Sequence, residues 1–553
     1  MPFLTFLCTL VLATQVFAAK SELTIALNQE FETLNPVVNS MMAAVYVQDA
    51  TLRPLVALSP EGKPYAVMIK EIPSFANKKA RLNKSDKNSP LKVDIEILPK
   101  AQWGDGEPVT CEDVRMAWEV GKNPQVSTPN RNDYLNITDI QIDATDPKKC
   151  TISFKQAKWN FYLDFPRPIS SHLEKKILAE YGDKAQAYER NTGYIRDVTN
   201  PGLYNGPYQV AELKLGSHIV LVPNSHFYGK APVFQKVIFK FILNSAAMEA
   251  NLRSGAVNMA SSSGLSFDQA LAFEKKIKTD HLPFEVVFVP GVIYSHMDFN
   301  LDDPVFQDVK VRQAMAYSLN RKQMTQAFFE GKEKPALHFS TELDSWFTRD
   351  PKEITIYPYN KVKAGQLLEQ AGWRTGTDGF RYKDGKKLSF TLSGVADNKL
   401  NEMLEAYTQA QWKQIGAEVL IKNYPGRVFF AEIVRQRKYQ MALYSWVSSP
   451  DASQRSTLHS EMIPTEANAW SGSNRPGWRN KDVDQWLDQV DEEFDRKKRI
   501  ALMKNVLRAY TEELPALPLY YRANNAVIPK GFKNFHMSGH VYSEFLAIEN
   551  WSF

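Results

Sequence analysis

The sequence has little cysteine, no strong excess of either charge, and no long apolar run after its first 20 residues. With 3 Cys in 553 residues, the chain is neither a disulfide-rich scaffold nor a zinc ribbon. Lys and Arg (67) nearly balance Asp and Glu (62), and the net charge of +5 gives no reason to expect nucleic-acid binding. No later apolar run reaches the ~18 residues of a membrane-spanning helix.

Motifs of the common enzyme classes are also missing. The sequence contains no GxSxG, GxxxxGK[ST], GxGxxG or HExxH pattern. Residues 170–172 (Ser-Ser-His) combine a nucleophile with a base, but sequence neighbours rarely face each other for catalysis, so we interpret them as a loop. His536 and His540 have the i, i+4 spacing of metal ligands, yet Gly539 between them makes a poor helix. We therefore predict no metal site and no cofactor.

The first 20 residues differ from the rest of the chain. They carry no charged side chain before Lys20, and their apolar run, residues 3–13, has the length of a signal-peptide core. Small residues then supply a cleavage site after Ala18 or Ala19. We therefore predict an export signal over residues 1–19.

Strand and helix signals are interspersed along the remaining sequence. Apolar and charged side chains alternate over residues 92–98, as in a half-buried strand. Apolar residues within 483–494 and 500–510 instead recur at helical spacing. The polar segment 78–90 is predicted to be a solvated loop. This interspersed pattern favours an α/β or α+β architecture.

Five stretches, taken in order, carry a recognisable set of patterns. They are a strand, a WGDGEPVT turn and a helix (93–119), an NGPY hairpin with the next strand (204–242), NLRSGAVNMA (251–260), MDFNLDDPVFQDVKVRQAMAYSLNRKQM (297–324), and NKVKAGQLLEQAGW (360–373). In this order they resemble the family 5 extracellular solute-binding proteins, the dipeptide-, oligopeptide- and nickel-binding components of bacterial ABC importers. Most of these residues serve the backbone and the core, so they identify the fold and do not locate a ligand.

The resemblance implies an α/β fold of the type II periplasmic binding protein kind. Two lobes would surround a cleft and be linked by a two-strand hinge, with an extra α+β domain beside the first lobe. Cys111 and Cys150 would both lie in the extra domain, where one disulfide or two buried thiols are equal alternatives. Matching the motifs places lobe I at 20–52, 196–288 and 523–553, the extra domain at 53–195, and lobe II at 289–522.

The resemblance also implies which residues of this sequence would bind the ligand. Peptide binders of this family pair an extended ligand with strand edges and fix its ammonium with an Asp three residues after a Trp. In YSWVSSPDAS, Trp446 matches the Trp and is expected to form an aromatic floor, whereas Ser449 occupies the Asp position. A hydroxyl cannot neutralise a buried ammonium, which argues against an ordinary free-amine peptide at this position.

Three further side chains complete the candidate set. Asp451 either replaces the missing acid or is a turn carboxylate after Pro450. Asn39 stands nearest the place where some peptide binders carry an acid in the N-terminal segment. Arg435, like Arg437, flanks the strand leading to Trp446, where it could bind a ligand carboxylate or simply face solvent.

The resemblance implies a binding protein rather than an enzyme. We expect a periplasmic, monomeric receptor that captures an oligopeptide or a similar elongated solute by lobe closure and delivers it to the membrane subunits of an ABC permease. No nucleic acid is expected as a partner. The alternatives are the same fold with another ligand, such as a metal chelate, an oligosaccharide or a signalling peptide, and a secreted hydrolase.

Overall fold

The structure is a computed structural model that describes residues 21–553. The predicted export signal, residues 1–19 with cleavage after Ala18 or Ala19, lies outside the described residues. Over residues 21–553, none of the helices combines the length and apolar character that a membrane span requires.

The strands of the described chain form one large sheet and three small ones. Their bounds are β1 (Glu22–Leu27), β2 (Val56–Leu58), β3 (Pro64–Ala66), β4 (Ala80–Leu82), β5 (Leu91–Glu96), β6 (Ile137–Ile142), β7 (Lys149–Phe154), β8 (Tyr208–Lys214), β9 (His218–Pro223), β10 (Lys236–Phe241), β11 (Met259–Ala260), β12 (Phe284–Phe299), β13 (Lys334–Pro335), β14 (Arg374–Thr375), β15 (Arg381–Lys383), β16 (Lys386–Lys387), β17 (Ser389–Val395), β18 (Glu418–Tyr424), β19 (Met441–Val447) and β20 (Ala516–Pro529).

Helices pack on these sheets along the whole described chain. They are α1 (Met42–Thr51), α2 (Cys111–Lys122), α3 (Arg131–Asn136), α4 (Ser171–Tyr181), α5 (Ala187–Asn191), α6 (Gly193–Arg196), α7 (Ser245–Arg253), α8 (Phe267–Thr279), α9 (Val309–Ser318), α10 (Arg321–Phe329), α11 (Lys361–Gln370), α12 (Lys399–Lys413), α13 (Gly426–Val428), α14 (Arg455–Leu458), α15 (Lys481–Glu492) and α16 (Arg496–Glu513). Short 3-10 turns cover Phe161–Asp164, Pro201–Leu203, Ser460–Met462, Glu466–Asn468 and Glu544–Asn550, and a π-helical turn covers Phe429–Val434.

Two strands carry the large sheet from one lobe to the other. The strand order is β18-β17-β19-β12-β20-β11-β1-β10-β9-β8, with β13 attached to β20. The long strands β12 and β20 pair with each other from Phe284 to Asp298, but the pairing is interrupted between Pro290 and Tyr294. Such irregularities bend a strand locally. The predicted two-strand hinge therefore corresponds to β12 and β20.

Separate hydrophobic cores support the two lobes. One large cluster of buried side chains draws on residues 23–241, Met259 and residues 526–551, and a smaller one groups Ala26, Val527 and residues 248–284. Three other clusters have all their buried members within residues 294–521. The exact domain boundaries given above stay a prediction.

Local sequence signals explain several element starts. Thr110 caps α2, and the Asp113 carboxylate accepts the Thr110 backbone N–H at 2.7 Å, which completes the expected capping box. Asn320 caps α10 by accepting the Gln323 N–H at 3.0 Å. The helical spacings in 483–494 and 500–510 correspond to α15 and α16.

The only two cysteines of the described chain lie at the four-stranded sheet β4-β5-β7-β6. Cys111 and Cys150 form a disulfide, which decides between the two alternatives left open by the sequence. The bridge joins the start of α2 to β7, so it braces one helix against this small sheet.

Two local predictions were wrong. Segment 78–90 is not all loop, because Ala80–Leu82 forms the edge strand β4 against β5. Residues 170–172 are not a loop either: Ser170 is the N-cap residue of α4, and Ser171 begins the helix. The Asp113 carboxylate accepts the Ser171 N–H at 2.8 Å, a contact across 58 residues that local patterns do not reveal.

Candidate functional site

The strand that carries Trp446 lies beside the hinge strand β12. In the antiparallel pairing of these strands, Trp446 is opposite Tyr294, and Tyr444 is opposite His296. These four rings share one face of the sheet, since alternate residues of a strand point the same way. The half-buried Trp446 therefore lies at the end of an aromatic surface, next to the point where β12 and β20 part.

The opposite edge of β19 is open over most of its length. Its neighbour β17 pairs with it only at Leu392 opposite Met441 and Ser393 opposite Ala442. From residue 443 to Val447 the described chain supplies no further ladder partner on that side. Val447 is 62% exposed. An edge of this kind offers backbone N–H and C=O groups to an added extended segment.

A small cavity lies against the aromatic face. It has a volume of about 30 Å³, and its walls include Tyr294, His296, Asp298, Phe339, Trp446 and Tyr510. That volume is sufficient for one or two water molecules but not for a large side chain. The lining residues all fall within residues 294–516, so the cavity is a recess of the second lobe and not the gap between the lobes.

The floor of this cavity is a buried carboxylate. Asp298 is 2% exposed and accepts a short hydrogen bond from the Tyr444 hydroxyl. Burial first, and then the nearby Asp298, raise the pKa of that hydroxyl well above 10, so it stays a donor. The His296 Nε2 lies 3.3 Å from Asp298, while its buried Nδ1 has no hydrogen-bond partner among residues 21–553.

Sequence reasoning missed both Asp298 and His296. A signal was present in YSHMDF, where polar His296 and Asp298 alternate with the residues of a buried strand. A buried strand with polar side chains at successive positions on one face indicates a partner on that face, but it does not identify the partner.

Ser449 and Asp451 lie in a tight turn after β19. The Ser449 carbonyl accepts the Ala452 N–H at 3.0 Å, and Asp451 has a left-handed φ of 55°. The Asp451 carboxylate accepts the Ser345 N–H, and its own N–H donates to the Asp344 carboxylate at 2.8 Å. Ser449 is exposed, whereas Asp451 is engaged in fixing this turn to the loop that contains Asp344.

The structure places Asn39 away from this turn, in the first lobe. Its side chain donates to the Thr33 carbonyl at 2.7 Å and accepts the Met41 N–H at 2.9 Å. Both partners are within six residues in sequence, so Asn39 stabilises its own loop. It borders a surface groove that Thr33, Ser40 and Met41 also line.

Arg435 and Arg437 both contact backbone carbonyls. Arg435 donates to Trp470 at 3.3 Å and to Ala469 at 3.4 Å, and its side chain is exposed. Arg437 pairs with Asp302 at 2.7 Å and donates to the Arg475 carbonyl, also at 2.7 Å. Each of these arginines thus holds a neighbouring loop.

A serine, a histidine and an aspartate meet outside this region. The Ser170 hydroxyl lies 3.1 Å from His172 Nδ1, and His172 Nε2 lies 2.8 Å from Asp105. Ser170 has no exposed surface, so its oxygen is not accessible to a substrate. The three groups instead link the start of α4 to the turn at Asp105.

A set of contacts joins segment 53–195, the predicted extra domain, to the second lobe. The Arg499 guanidinium lies 3.8 Å from the centroid of the Trp159 ring, and Phe75 packs edge-on against Phe494 at 4.6 Å. Lys84 and Glu492 lie 3.5 Å apart. These contacts connect segment 53–195 to the α15–α16 region, so they hold the extra domain against the second lobe.

Within the part of the chain that the structure describes, no three His, Cys, Asp or Glu side chains cluster as metal ligands would. His540, one of the two histidines with metal-ligand spacing, has its Nε2 2.7 Å from the Ser59 carbonyl.

Two lobes, a two-strand hinge and an open strand edge beside an aromatic surface define a solute-binding protein of the periplasmic kind. Residues 82–460 match the bacterial extracellular solute-binding proteins, family 5 Middle. The match spans more than half of the sequence, and the chain belongs to this family.

Relatives in the family are binding proteins rather than enzymes. The oligopeptide-binding protein AppA of Bacillus subtilis is 25% identical over 474 residues, which is 83% of this chain and 80% of that protein. The periplasmic murein peptide-binding protein MppA of Escherichia coli is 24% identical over 448 residues, 79% of this chain and 78% of MppA. The oligopeptide-binding protein of Thermus thermophilus, solved with a pentapeptide, superposes with a TM-score of 0.66 at 25% identity, covering 97% of this chain and 96% of the other.

Proposed function

We propose that this protein is an exported receptor of an ABC importer, which captures an oligopeptide or a similar elongated solute between its lobes and passes it to a membrane permease. The observation that carries the proposal is the open edge of β19 from residue 443 to Val447, next to Trp446. An extended peptide would add its backbone to that edge, while Trp446 would contact a side chain. The names of the peptide-binding relatives and the peptide bound to the Thermus protein support this ligand class.

Closure would follow from the way the lobes are connected. Bending at the interrupted pairing between Pro290 and Tyr294 would separate the lobes, and the contacts of Trp159 with Arg499 and of Phe75 with Phe494 would form again on closing. A ligand that touches both lobes favours the closed arrangement by its differential affinity for it. Binding is then the whole chemistry of this chain, with transport energy supplied by an ATPase elsewhere.

The test uses protein freed of ligand by unfolding and refolding. Titration calorimetry with pools of tri- to pentapeptides should give binding heat, and the radius of gyration in X-ray scattering should fall on saturation. Peptide pools that give no heat, with no change in the radius, would remove peptides as the ligand class.

A solute without a free amine is the second candidate. Ser449 offers no charge at the position where family members place an Asp, and Asp451 already accepts the Ser345 N–H. Native mass spectrometry of protein purified without refolding would separate the two candidates, since a retained non-peptide mass favours the second.

A further inference from the structure

Strand β18 ends the large sheet, and its outer edge has no partner strand among residues 21–553. It pairs with β17 alone, in a parallel ladder in which the Glu418 N–H donates to the Leu388 carbonyl at 2.8 Å. In a parallel ladder, the N–H and C=O groups of one residue point to the same side, and the side alternates from one residue to the next. Residues 419, 421 and 423 therefore direct these groups away from β17, towards the open edge.

The side chains of this edge favour pairing with a further strand. Leu420 is 53% exposed and Ile421 is 40% exposed, and they point to opposite faces of the sheet. The charged residues of β18 are the exposed Lys422 and the half-buried Glu418, which lies 3.2 Å from Lys387. The strand contains no proline, and an exposed apolar edge without a cover is a template for another strand.

A second copy of β18 matches this edge in one antiparallel register. With a two-fold axis at Leu420, Glu418 of one copy lies opposite Lys422 of the other, so opposite charges meet at both ends of the pairing. Val419 then lies opposite Ile421, and both residues direct their backbone groups to the edge, as a hydrogen-bonded pair requires. An axis at residue 419 or 421 would also satisfy the backbone, but it would leave Lys422 without an opposite charge.

The helix α12 lies over the same edge. The Gln409 side chain donates to the outward-facing Val419 carbonyl at 2.8 Å, and the Asn423 side chain donates to the Glu405 carboxylate at 2.8 Å. These two contacts show that α12 runs antiparallel to β18 and that residues 405–409 lie over the strand. A two-fold axis at Leu420 would therefore place the α12 helices of two copies side by side and antiparallel, on one face of a joined sheet.

The outer stripe of α12 is complementary to itself in that arrangement. Glu402, Ala406 and Lys413 are exposed and recur at helical spacing with Gln409, on the side of the helix that borders the edge. Neither Glu402 nor Lys413 has an ion-pair partner among residues 21–553. The axis brings Glu402 of one copy near Lys413 of the other, and the small Ala406 between them allows the helices to approach.

We infer that a second copy of this chain binds the β18 edge, so that two second lobes share one continuous sheet and pair their α12 helices. The resemblance led us to expect a monomer, and the complementarity of both β18 and α12 about one axis is the reason for departing from that expectation. One strand and one helix from each copy form a small interface, so the dimer is weak and forms at high concentration. It uses the second lobe alone and does not depend on the proposed function.

The test is sedimentation equilibrium of the wild-type protein without ligand, from about 1 µM to about 300 µM, the range in which a weak interface dissociates. The mean molar mass should rise towards twice that of the monomer. Leu420→Lys should stay monomeric, because it puts two like charges opposite each other at the axis. Leu215→Lys is the matched control: Leu215 is 71% exposed in the first lobe, and this variant should dimerise as the wild type does.

Charge reversal on α12 tests the register. Glu402→Lys and Lys413→Glu should each weaken dimerisation about five- to thirtyfold, since the axis repeats each contact, and the double variant should recover it. A wild type that stays monomeric at every concentration overturns the proposal, as does a Leu420→Lys variant that dimerises normally. Single reversals without effect, or a double variant that does not recover, overturn the pairing of α12. Matching circular dichroism and unfolding curves show that the variants are folded.

Discussion

Replacing Glu333 by glutamine should make the protein more resistant to alkaline conditions. Glu333 is 3% exposed, and its carboxylate accepts the N–H of Ala523 at 3.1 Å. Ala523 lies on β20 opposite Pro290, where the pairing of the hinge strands is interrupted. Burial raises the pKa of the Glu333 carboxyl from 4.5 to about 8. The neutral acid is therefore the form that suits this site.

The direction and size of this change in unfolding free energy follow from the linkage between protonation and folding. A carboxyl whose pKa is raised by folding gives full stability below its unfolded pKa, and that stability is lost as pH rises from about 4.5 to about 8. One pKa unit corresponds to about 1.4 kcal/mol, so ionising Glu333 should cost about 4 kcal/mol of unfolding free energy between pH 5 and pH 9. Glutamine keeps an acceptor for Ala523 and cannot ionise.

Urea unfolding followed by tryptophan fluorescence at pH 5 and pH 9 measures this effect. The difference in unfolding free energy between Glu333→Gln and wild type should shift in favour of the variant by about 4 kcal/mol over that range. Glu342→Gln is the matched control, because Glu342 is a more exposed glutamate that pairs with Lys334 at 3.3 Å. If the difference in unfolding free energy between Glu333→Gln and wild type is the same at both pH values, Glu333 is not a buried neutral acid.

Three further predictions concern other contacts. Cys111→Ala should lower the unfolding free energy by about 4 kcal/mol, because the bridge between Cys111 and Cys150 closes a loop of 39 residues. A reductant should destabilise the wild type but not the variant. A wild type whose stability does not change with reductant would contradict the disulfide. Trp159→Ala removes the ring over which Arg499 lies, a contact that should stabilise the closed form. Ligand affinity measured by calorimetry should therefore fall about two- to thirtyfold. An unchanged affinity would mean that this contact does not stabilise closure. Trp446→Ala should weaken binding at least about tenfold and leave the ligand-free radius of gyration unchanged; normal binding would place the ligand elsewhere.

Local structure was largely predictable because its determinants are close in sequence. The capping of α2 by Thr110 and of α10 by Asn320 depends on residues three positions apart. The helical spacing of α15 and the alternation in β5 likewise reflect the burial of one face. The start of α4 escaped prediction because the partner of the Ser171 N–H is Asp113.

The candidate site was predictable in part. Trp446 lies on the strand that the sequence predicted to lead to it, and the structure adds that this strand pairs with β12. Its contact with a ligand stays a prediction. The roles of Asp451 and Arg435 were left open, because an ionisable side chain in a sequence does not reveal its partner. Asp451 accepts the N–H of Ser345, which is 106 residues away, so only the fold could show that it is engaged.

The sequence by itself determined the class of the protein, since the order of its motifs and the periodicity of its apolar residues follow from local backbone and burial requirements. The tertiary structure alone decided which partner each charged side chain has. Arg435, Arg437 and Arg475 look alike in the sequence, and they differ because distant chain segments supply carbonyl or carboxylate partners to the first two, whereas the buried Nε of the third has none among residues 21–553. Electrostatic compensation depends on distances in space, which no spacing along the chain encodes.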